Sequence, residues 1–276
     1  MLTIIVPVFN EESVIAEFHE RITQVMKASA IAHEVFYIDD GSIDSTGKIL
    51  DGLGARVVHL SQNRGYGAAL KIGITRSASE HIAIIDCDGT YDPGDLPVLF
   101  AHMDACDMAI GKRTTKFGMR TFPKWILRTI ASYAVSYAIP DLNSGLRIFK
   151  RDLVMDFMKL LPNGFSFTST ITMASLYHLK NVQFIPVSYG KRVGTSKIRP
   201  VKSFLGFSML IARTMILFEP LKFFLPSSFI VGGIGIAFLI RDILAENLAQ
   251  ASILMITNGF ILLAIGLLAE AIRCKD

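Results

Sequence analysis

HIAIIDCDGTYDP, residues 81–93, is apolar through Ile82, Ala83, Ile84 and Ile85. It then presents two aspartates one residue apart, Asp86 and Asp88, before Gly89 and Pro93 break the run. The stretch reads as a buried strand that ends in paired acids. Side chains at i and i+2 of a strand share a face, so Asp86 and Asp88 are expected to point together while Cys87 turns away. Two adjacent carboxylates repel unless a cation lies between them. At the carboxyl end of a sheet the fitting cation is Mg²⁺ or Mn²⁺, a hard ion held by one or two carboxylates and the diphosphate oxygens of a nucleotide. Such an ion neutralises charge developing on a departing nucleoside diphosphate.

On both sides of this stretch short β-rich runs alternate with helical patterns. LTIIVPVF, HEVFYIDD, RVVHLS, HIAIIDCD and MAIGKR read as strands, and EESVIAEFHERITQVMKAS, SIDSTGKILDGL, GAALKIGITRSA and GDLPVLFAHMDAC as helices. This alternation predicts an α/β domain with a mostly parallel sheet wrapped by helices. Ligands bind such sheets beyond the carboxyl ends of the strands. The polar groups closing the strands are therefore the candidates: Asn10 and Glu11, Asp39 and Asp40, Asn63 and Arg64, Asp86 and Asp88. Ser42 and Asp44 are both candidate caps of SIDSTGKILDGL, and Asp44 reads as a cap in preference to a ligand. GYGAALKIG, residues 65–73, resembles a dinucleotide fingerprint, but Leu70 stands at its third glycine position and it follows the third strand, which argues against a dehydrogenase. Its glycines read instead as a tight turn with backbone N–H groups near phosphate.

The composition, 51% apolar with a mean hydropathy of +0.44, is too apolar for an ordinary soluble domain. The excess concentrates in Phe223–Ile240 and Ala251–Ala269, each about long enough to cross a hydrocarbon core of ~30 Å at 1.5 Å per residue. Two uncharged runs joined by RDILAENLAQ predict a transmembrane hairpin. Arg213 and Lys222 precede it and Arg273 and Lys275 follow it, so both ends are expected in the cytosol. The amino terminus lacks a signal-peptide pattern, which leaves the first two hundred or so residues cytosolic as well. The expected location is the cytoplasmic (inner) or an endoplasmic-reticulum-type membrane. Cys87, Cys106 and Cys274 fit a reducing compartment and have no metal-ligand spacing.

The net charge of +4 argues against a nucleic-acid partner. The cations cluster in GKRVGTSKIRPVK, residues 190–202, just ahead of a mixed apolar and basic stretch. That pattern predicts a patch at the anionic leaflet with amphipathic interfacial helices behind it.

IIVPVFNEE, IDDGSIDST, NRGYGAALKIG, DCDGTYDP, GKR and NSGLRIFKR occur in the order typical of inverting family 2 glycosyltransferases. RVGTSKI followed by two hydrophobic spans resembles the polyprenyl-phosphate branch, which includes dolichol-phosphate mannose synthases and undecaprenyl-phosphate glucosyltransferases. The resemblance covers nearly the whole chain. It implies a GT-A fold over residues 1–200, juxtamembrane amphipathic helices over 201–222 and the hairpin over 223–272. It also implies roles for individual residues. Pro7, Phe9 and Glu11 would line the nucleotide-sugar pocket, one of Asp39 and Asp40 would read the base, and Asp86 and Asp88 would hold the metal and diphosphate. Asp88, Arg113 and Arg128 would carry catalysis, the arginines lying over the acceptor phosphate or the diphosphate. Arg147, Arg192, Ser196 and Lys197 would bind the lipid phosphate. The chain departs from the family in having Phe9 where Tyr is commoner, Thr90 where some relatives have Gln, and Thr168, Ser169 and Thr170 where many have a Glu.

The reaction implied is inverting transfer of a hexose from a nucleoside diphosphate sugar to a polyprenyl monophosphate, with Mg²⁺ or Mn²⁺ as cofactor. DGTY leans the donor towards UDP over GDP-mannose. The alternative is a membrane-anchored glycosyltransferase acting on another lipid or a lipid-linked oligosaccharide. A two-helix hairpin also leaves lipid-facing surface through which copies could form a homo-oligomer.

Overall fold

The structure is a computed structural model of the chain and describes residues 1–114, 122–190, 208–209, 212–213, 215–216, 218–246 and 249–274, with backbone only for 122–127. Seven strands, β1 (Leu2–Val8), β2 (His33–Asp39), β3 (Arg56–His59), β4 (His81–Ile84), β5 (Met108–Arg113), β6 (Arg147–Lys150) and β7 (Val182–Val187), form one sheet ordered β3-β2-β1-β4-β6-β5-β7. The sheet is mostly parallel, as the alternation predicts. The exception among the described strands is β6, which runs antiparallel to both β4 and β5.

Seven helices cover the sheet: α1 (Ile15–Ala28), α2 (Thr46–Gly52), α3 (Tyr66–Arg76), α4 (Asp95–Phe100), α5 (Phe122–Val135), α6 (Arg151–Phe157) and α7 (Phe167–Tyr177). Both faces of the sheet are buried. Ile5, Ile38, Ile82 and Ile84 pack on one side with α3, α6 and α7, while Ile4, Val6, Tyr37, Ala83 and Ile85 pack on the other with α1 and α4. Alternation along each strand thus feeds two cores, which is why the strands read as continuous apolar runs.

The reversed strand shapes the ligand edge. Arg147, at the amino end of β6, pairs with Ile84 and with Ile110. Ser144 and Gly145, just ahead of it, therefore emerge at the edge where the parallel strands present their carboxyl ends.

Two long helices follow, α8 (Pro220–Leu244) and α9 (Gln250–Arg273), longer than the apolar runs predicted. Both are long and apolar enough to cross a membrane. They pack on each other through small residues: a Cβ on Gly259 would lie 2.9 Å from the Gly232 Cα, and one on Gly235 would lie 2.7 Å from the Ile256 backbone nitrogen. Ser228 Oγ donates to the Gly259 carbonyl at 2.8 Å, and Asp242 closes the far end by accepting from Ser252 Oγ at 2.8 Å. Outward-facing Phe229, Ile230, Phe260 and Leu268 are each more than 60% exposed, the pattern expected where lipid replaces water.

The two ends of the hairpin meet the globular domain. Lys222 Nζ donates to Ser136 Oγ at 2.7 Å. Arg273 donates to the Tyr177 hydroxyl at the end of α7 and to the Phe218 carbonyl.

Candidate active site at the carboxyl edge of the sheet

The loops after β1 and β2 are laced together. Asn10 N–H donates to Ser42 Oγ at 3.0 Å, Glu11 N–H to Thr46 Oγ1 at 2.8 Å, and Ile43 N–H to Asn10 Oδ1 at 2.9 Å. Asp44 accepts the Thr46 N–H at 3.0 Å and so braces the first residue of α2, one position ahead of the N-cap Ser45, which makes no side-chain cap bond. These bonds place Pro7, Phe9 and Glu11, all half-buried, beside the end of β2.

Asp39 and Asp40 are each 4% exposed. Asp39 accepts the Ser42 N–H and pairs with His59 Nδ1 at 2.9 Å. That partner, against the opposing effect of burial, raises the His59 pKa above its ordinary value. Asp40 accepts the backbone N–H groups of Arg64 and Gly65 at 2.7 and 2.9 Å. The glycine turn therefore directs these N–H groups to a carboxylate of the protein, where the sequence suggested phosphate. Gly65, at φ +97°, and Gly67 instead permit close approach of the 162–164 backbone, which lies 2.6 and 2.3 Å from where their Cβ atoms would stand.

β4 ends at Ile84, so Asp86 and Asp88 lie in the irregular segment beyond it and not in the strand itself. Their orientation is fixed by side-chain partners and not by the strand pleat. Tyr66, the first residue of α3, donates its hydroxyl to Asp86 Oδ1 at 3.0 Å and stacks on Phe165. On the other side Asp86 Oδ2 lies 2.1 Å from where a Gly145 Cβ would be, so the carboxylate occupies space left by that missing side chain. Asp88 Oδ1 accepts both the N–H and the hydroxyl of Thr90, at 3.1 and 2.5 Å. Thr90 thus orients Asp88. The Cys87 thiol between them is 4% exposed. Burial, and then the nearby charges of Glu11, Asp86 and Asp88, push its pKa well up. Cys87 is an inert, buried thiol.

Across the edge, Arg113 at the end of β5 grips Asp141 through Nε and Nη2, both at 2.7 Å. Its guanidinium lies 5.2 Å from the centroid of the Tyr189 ring. Burial opposes the charge, but Asp141 outweighs it and raises the Arg113 pKa, so this cation is permanent and held in one orientation. Tyr91 packs edge-on against Tyr189 and accepts the Gly145 N–H at 2.9 Å, which links the two halves of the site. Arg128, on α5, donates to the Pro140 carbonyl at 3.2 Å.

Arg147 is corrected by the structure. The resemblance makes it a lipid-phosphate ligand, yet it is fully buried. It donates to the carbonyls of Thr168 and Ser144 at 2.9 and 2.6 Å and to Thr172 Oγ1 at 3.0 Å. Desolvation lowers its pKa to about 10. The guanidinium ties the start of α7 to the edge of the sheet, as a wall element. Arg192, Ser196 and Lys197 lie outside the described residues, as does most of the 201–222 stretch.

Tyr66, Tyr91, Asp141, Gly145 and Tyr189 complete the site, although no residue pattern around Tyr66, Tyr91, Gly145 or Tyr189 marks them. Asp141 carried a signal, being the first acid after Asp107 and following six basic residues.

Among the described residues no three His, Cys, Asp or Glu side chains are grouped to hold a metal by protein ligands alone. Asp86 and Asp88 instead offer hard oxygen donors, each oriented by a hydroxyl, at a partly open edge. That donor set fits a cation completed by diphosphate and water oxygens.

The profile of Glycosyl transferase family 2 matches residues 3–158, which take in β1 from Thr3 through α6 and the carboxylates of this sheet edge. The chain belongs to glycosyl transferase family 2. The profile of the GtrB C-terminal hairpin matches residues 219–273, the α8–α9 pair.

Family 2 relatives include the dodecaprenyl-phosphate galacturonate synthase of Rhizobium johnstonii, 28% identical over 55% of this chain and 48% of that protein. The dolichyl-phosphate hexose transferase of Haloferax volcanii is 28% identical over 72% of this chain and 87% of its own length. The polyprenol monophosphomannose synthase of Mycolicibacterium smegmatis is 26% identical over 71% and 80%. The match thus spans about half of the first relative and most of the other two. The fold is shared with glucosyl-3-phosphoglycerate synthase of Mycobacterium tuberculosis, solved with Mn²⁺, UDP-glucose and phosphoglyceric acid, at a TM-score of 0.63 and 18% identity over 78% of both chains.

Proposed function

We propose that this family 2 chain transfers a hexose from a nucleoside diphosphate sugar, UDP-linked in preference to GDP-linked, to the phosphate of a polyprenyl monophosphate at the cytoplasmic face of a membrane. One observation carries the reading. Asp86 and Asp88 on one side, and the fixed Arg113 cation on the other, share one edge of a domain that is bonded to an apolar hairpin. The names of the relatives support a polyprenyl phosphate acceptor.

The chemistry needs little proton transfer. A phosphate monoester has a second pKa of ~6, so its oxygen is largely deprotonated near neutral pH and attacks the anomeric carbon without a general base. Positioning and charge stabilisation then do the work. Pro7, Phe9 and Glu11, with Asp39 or Asp40, hold the nucleoside. Asp86 and Asp88 hold a divalent cation, which when bound supplies positive charge to the departing diphosphate. Arg113 and Arg128, with Arg192, Ser196 and Lys197, receive the acceptor phosphate. A single in-line displacement inverts the anomeric centre, so an α-linked donor gives a β-linked lipid.

Transfer of labelled sugar from a panel of UDP- and GDP-sugars to undecaprenyl and dolichyl phosphate, with Mg²⁺ or EDTA, tests this on wild type and Asp88→Ala. Metal-dependent labelling by one donor, lost in the variant, is the expected result. Nucleotide binding with no lipid labelling by any donor overturns it.

A further inference from the structure

The carboxyl-terminal half of α5 has a buried face and an exposed one. Ala131 and Ala134 are buried in the same core as Met215, against which Phe218 and Phe223 also pack. The adjoining face shows Ile130 at 39%, Tyr133 at 52% and, just past the helix, Tyr137 at 45% exposure. Ile130 and Tyr133, at i and i+3, share one stripe of the helix, and Tyr137 continues the exposed patch past the turn at Ser136, whose φ is +52°. Tyr137 also stacks on Phe184 of β7 at 6.4 Å between ring centroids, which fixes the end of the patch.

What covers this face follows from where it sits. Lys222, at the start of α8, donates to Ser136 Oγ at 2.7 Å and lies 3.4 Å from the Ala134 carbonyl. The end of α5 and the start of the first apolar helix are therefore at one level. Ahead of Lys222 the hairpin is still tied to the domain, and beyond it α8 carries no charge until Arg241. Two tyrosines at this level have the amphipathic form that favours a membrane–water boundary. The charge agrees: from Met108 to Pro140 the sequence has no Asp or Glu and six basic residues, Lys112, Arg113, Lys116, Arg120, Lys124 and Arg128. Such a stretch suits an anionic leaflet.

We propose that Ile130, Tyr133 and Tyr137 form a further membrane contact, seated in the headgroup–acyl boundary of the leaflet that α8 enters. The inference rests on α8 and α9 being membrane spans. It adds that the globular domain leans on the bilayer through α5 as well as through the hairpin. Arg128, on the same helix, would then be held at headgroup depth, where the phosphate of a lipid acceptor lies.

Single-tryptophan variants of the full chain test this in phosphatidylcholine vesicles containing phosphatidylglycerol. The one native tryptophan is removed as Trp125→Phe. Reporters are Tyr133→Trp and, in case that variant does not fold, Tyr137→Trp. The aqueous control is Leu53→Trp, 42% exposed beside β3 at the far edge of the sheet. The span control is Phe260→Trp, 69% exposed midway along α9. Lipids brominated near the head of the acyl chain should quench the α5 reporters severalfold more than Leu53→Trp, and lipids brominated deep in the chain should quench Phe260→Trp. Quenching of Phe260→Trp with α5 reporters no more quenched than Leu53→Trp overturns the α5 contact alone. A blue-shifted but unquenched α5 reporter, the mark of contact with a second copy, overturns it too. No quenching at Phe260→Trp removes the membrane reading and this proposal together.

Discussion

Gly145→Ala is a small change aimed at Asp86, one of the two carboxylates proposed to hold the cation. The backbone of Gly145 is outside the left-handed region, so alanine adds no conformational strain. Its Cβ, however, would stand 2.1 Å from Asp86 Oδ2, about 1.3 Å short of the 3.4 Å at which ordinary contact begins. The carboxylate can swing away while the backbone stays, so the stability cost should stay near the low end of the ~1–3 kcal/mol typical of overpacking. The swing breaks the 3.0 Å bond from Tyr66. A hydrogen bond to a charged group contributes ~1.5–3 kcal/mol, and each ~1.4 kcal/mol lost from transition-state binding is a factor of ten. Misplacing a catalytic group by ~1 Å costs ~100-fold in other enzymes. The variant should therefore fold, melt within a few degrees of wild type, and lose on the order of 10- to 100-fold in kcat/KM. Titration calorimetry of UDP with Mn²⁺ should show weakened binding. A Gly145→Ala enzyme with kcat/KM within about twofold of wild type, or one that does not fold, would refute the reasoning.

Asp141→Asn loosens the fork on Arg113 and should raise the KM for polyprenyl phosphate more than that for the donor, as steady-state kinetics with each substrate varied would show. Arg147→Ala removes donors to Thr168, Thr172 and Ser144 and leaves a cavity, so a loss of about 3 kcal/mol or more is expected in denaturant unfolding. His59 has a raised folded-state pKa through Asp39, so its contribution to stability is fully present below its ordinary pKa of about 6.5 and is lost as pH rises through the folded value. The Tm difference between wild type and His59→Gln should accordingly shrink from pH ~6 to pH ~8. Arg273→Ala cuts the ties from α9 to Tyr177 and Phe218 and should lower the Tm of the globular domain in detergent while the helicity of the hairpin is retained.

The alternation that read as β1 to β5 with their helices is present because each of those strands feeds two apolar cores, so hydrophobicity marked it plainly. β4 was read too long: Asp86 and Asp88 follow a strong apolar run, but the sheet pairing stops at Ile84. β6 was hidden because RIFK is four residues long and carries two cations, and what makes it a strand is pairing with two neighbours far away in sequence. That reversal also explains why Gly145 was missed, since nothing local says that its missing side chain makes room for a carboxylate 59 positions earlier. Arg147 shows the opposite error. A cation in a motif read as a ligand, although it lies opposite apolar Ile84 and Ile110 and is sealed under α7. FTSTITMASLY looks half-polar, yet it is a buried helix whose hydroxyls turn inward: Thr168, Ser169, Thr170, Thr172 and Ser175 are all buried.

The proposed reaction places the sugar on a lipid phosphate. Phosphorus NMR and mass spectrometry of the purified lipid product, made by the full chain from its preferred donor, test it most directly. The expected result is conversion of the phosphomonoester signal to a phosphodiester, with a mass gain of one hexose and a sugar released by mild acid. A sugar-bearing lipid whose phosphate remains a monoester, or whose sugar resists mild acid, would contradict it.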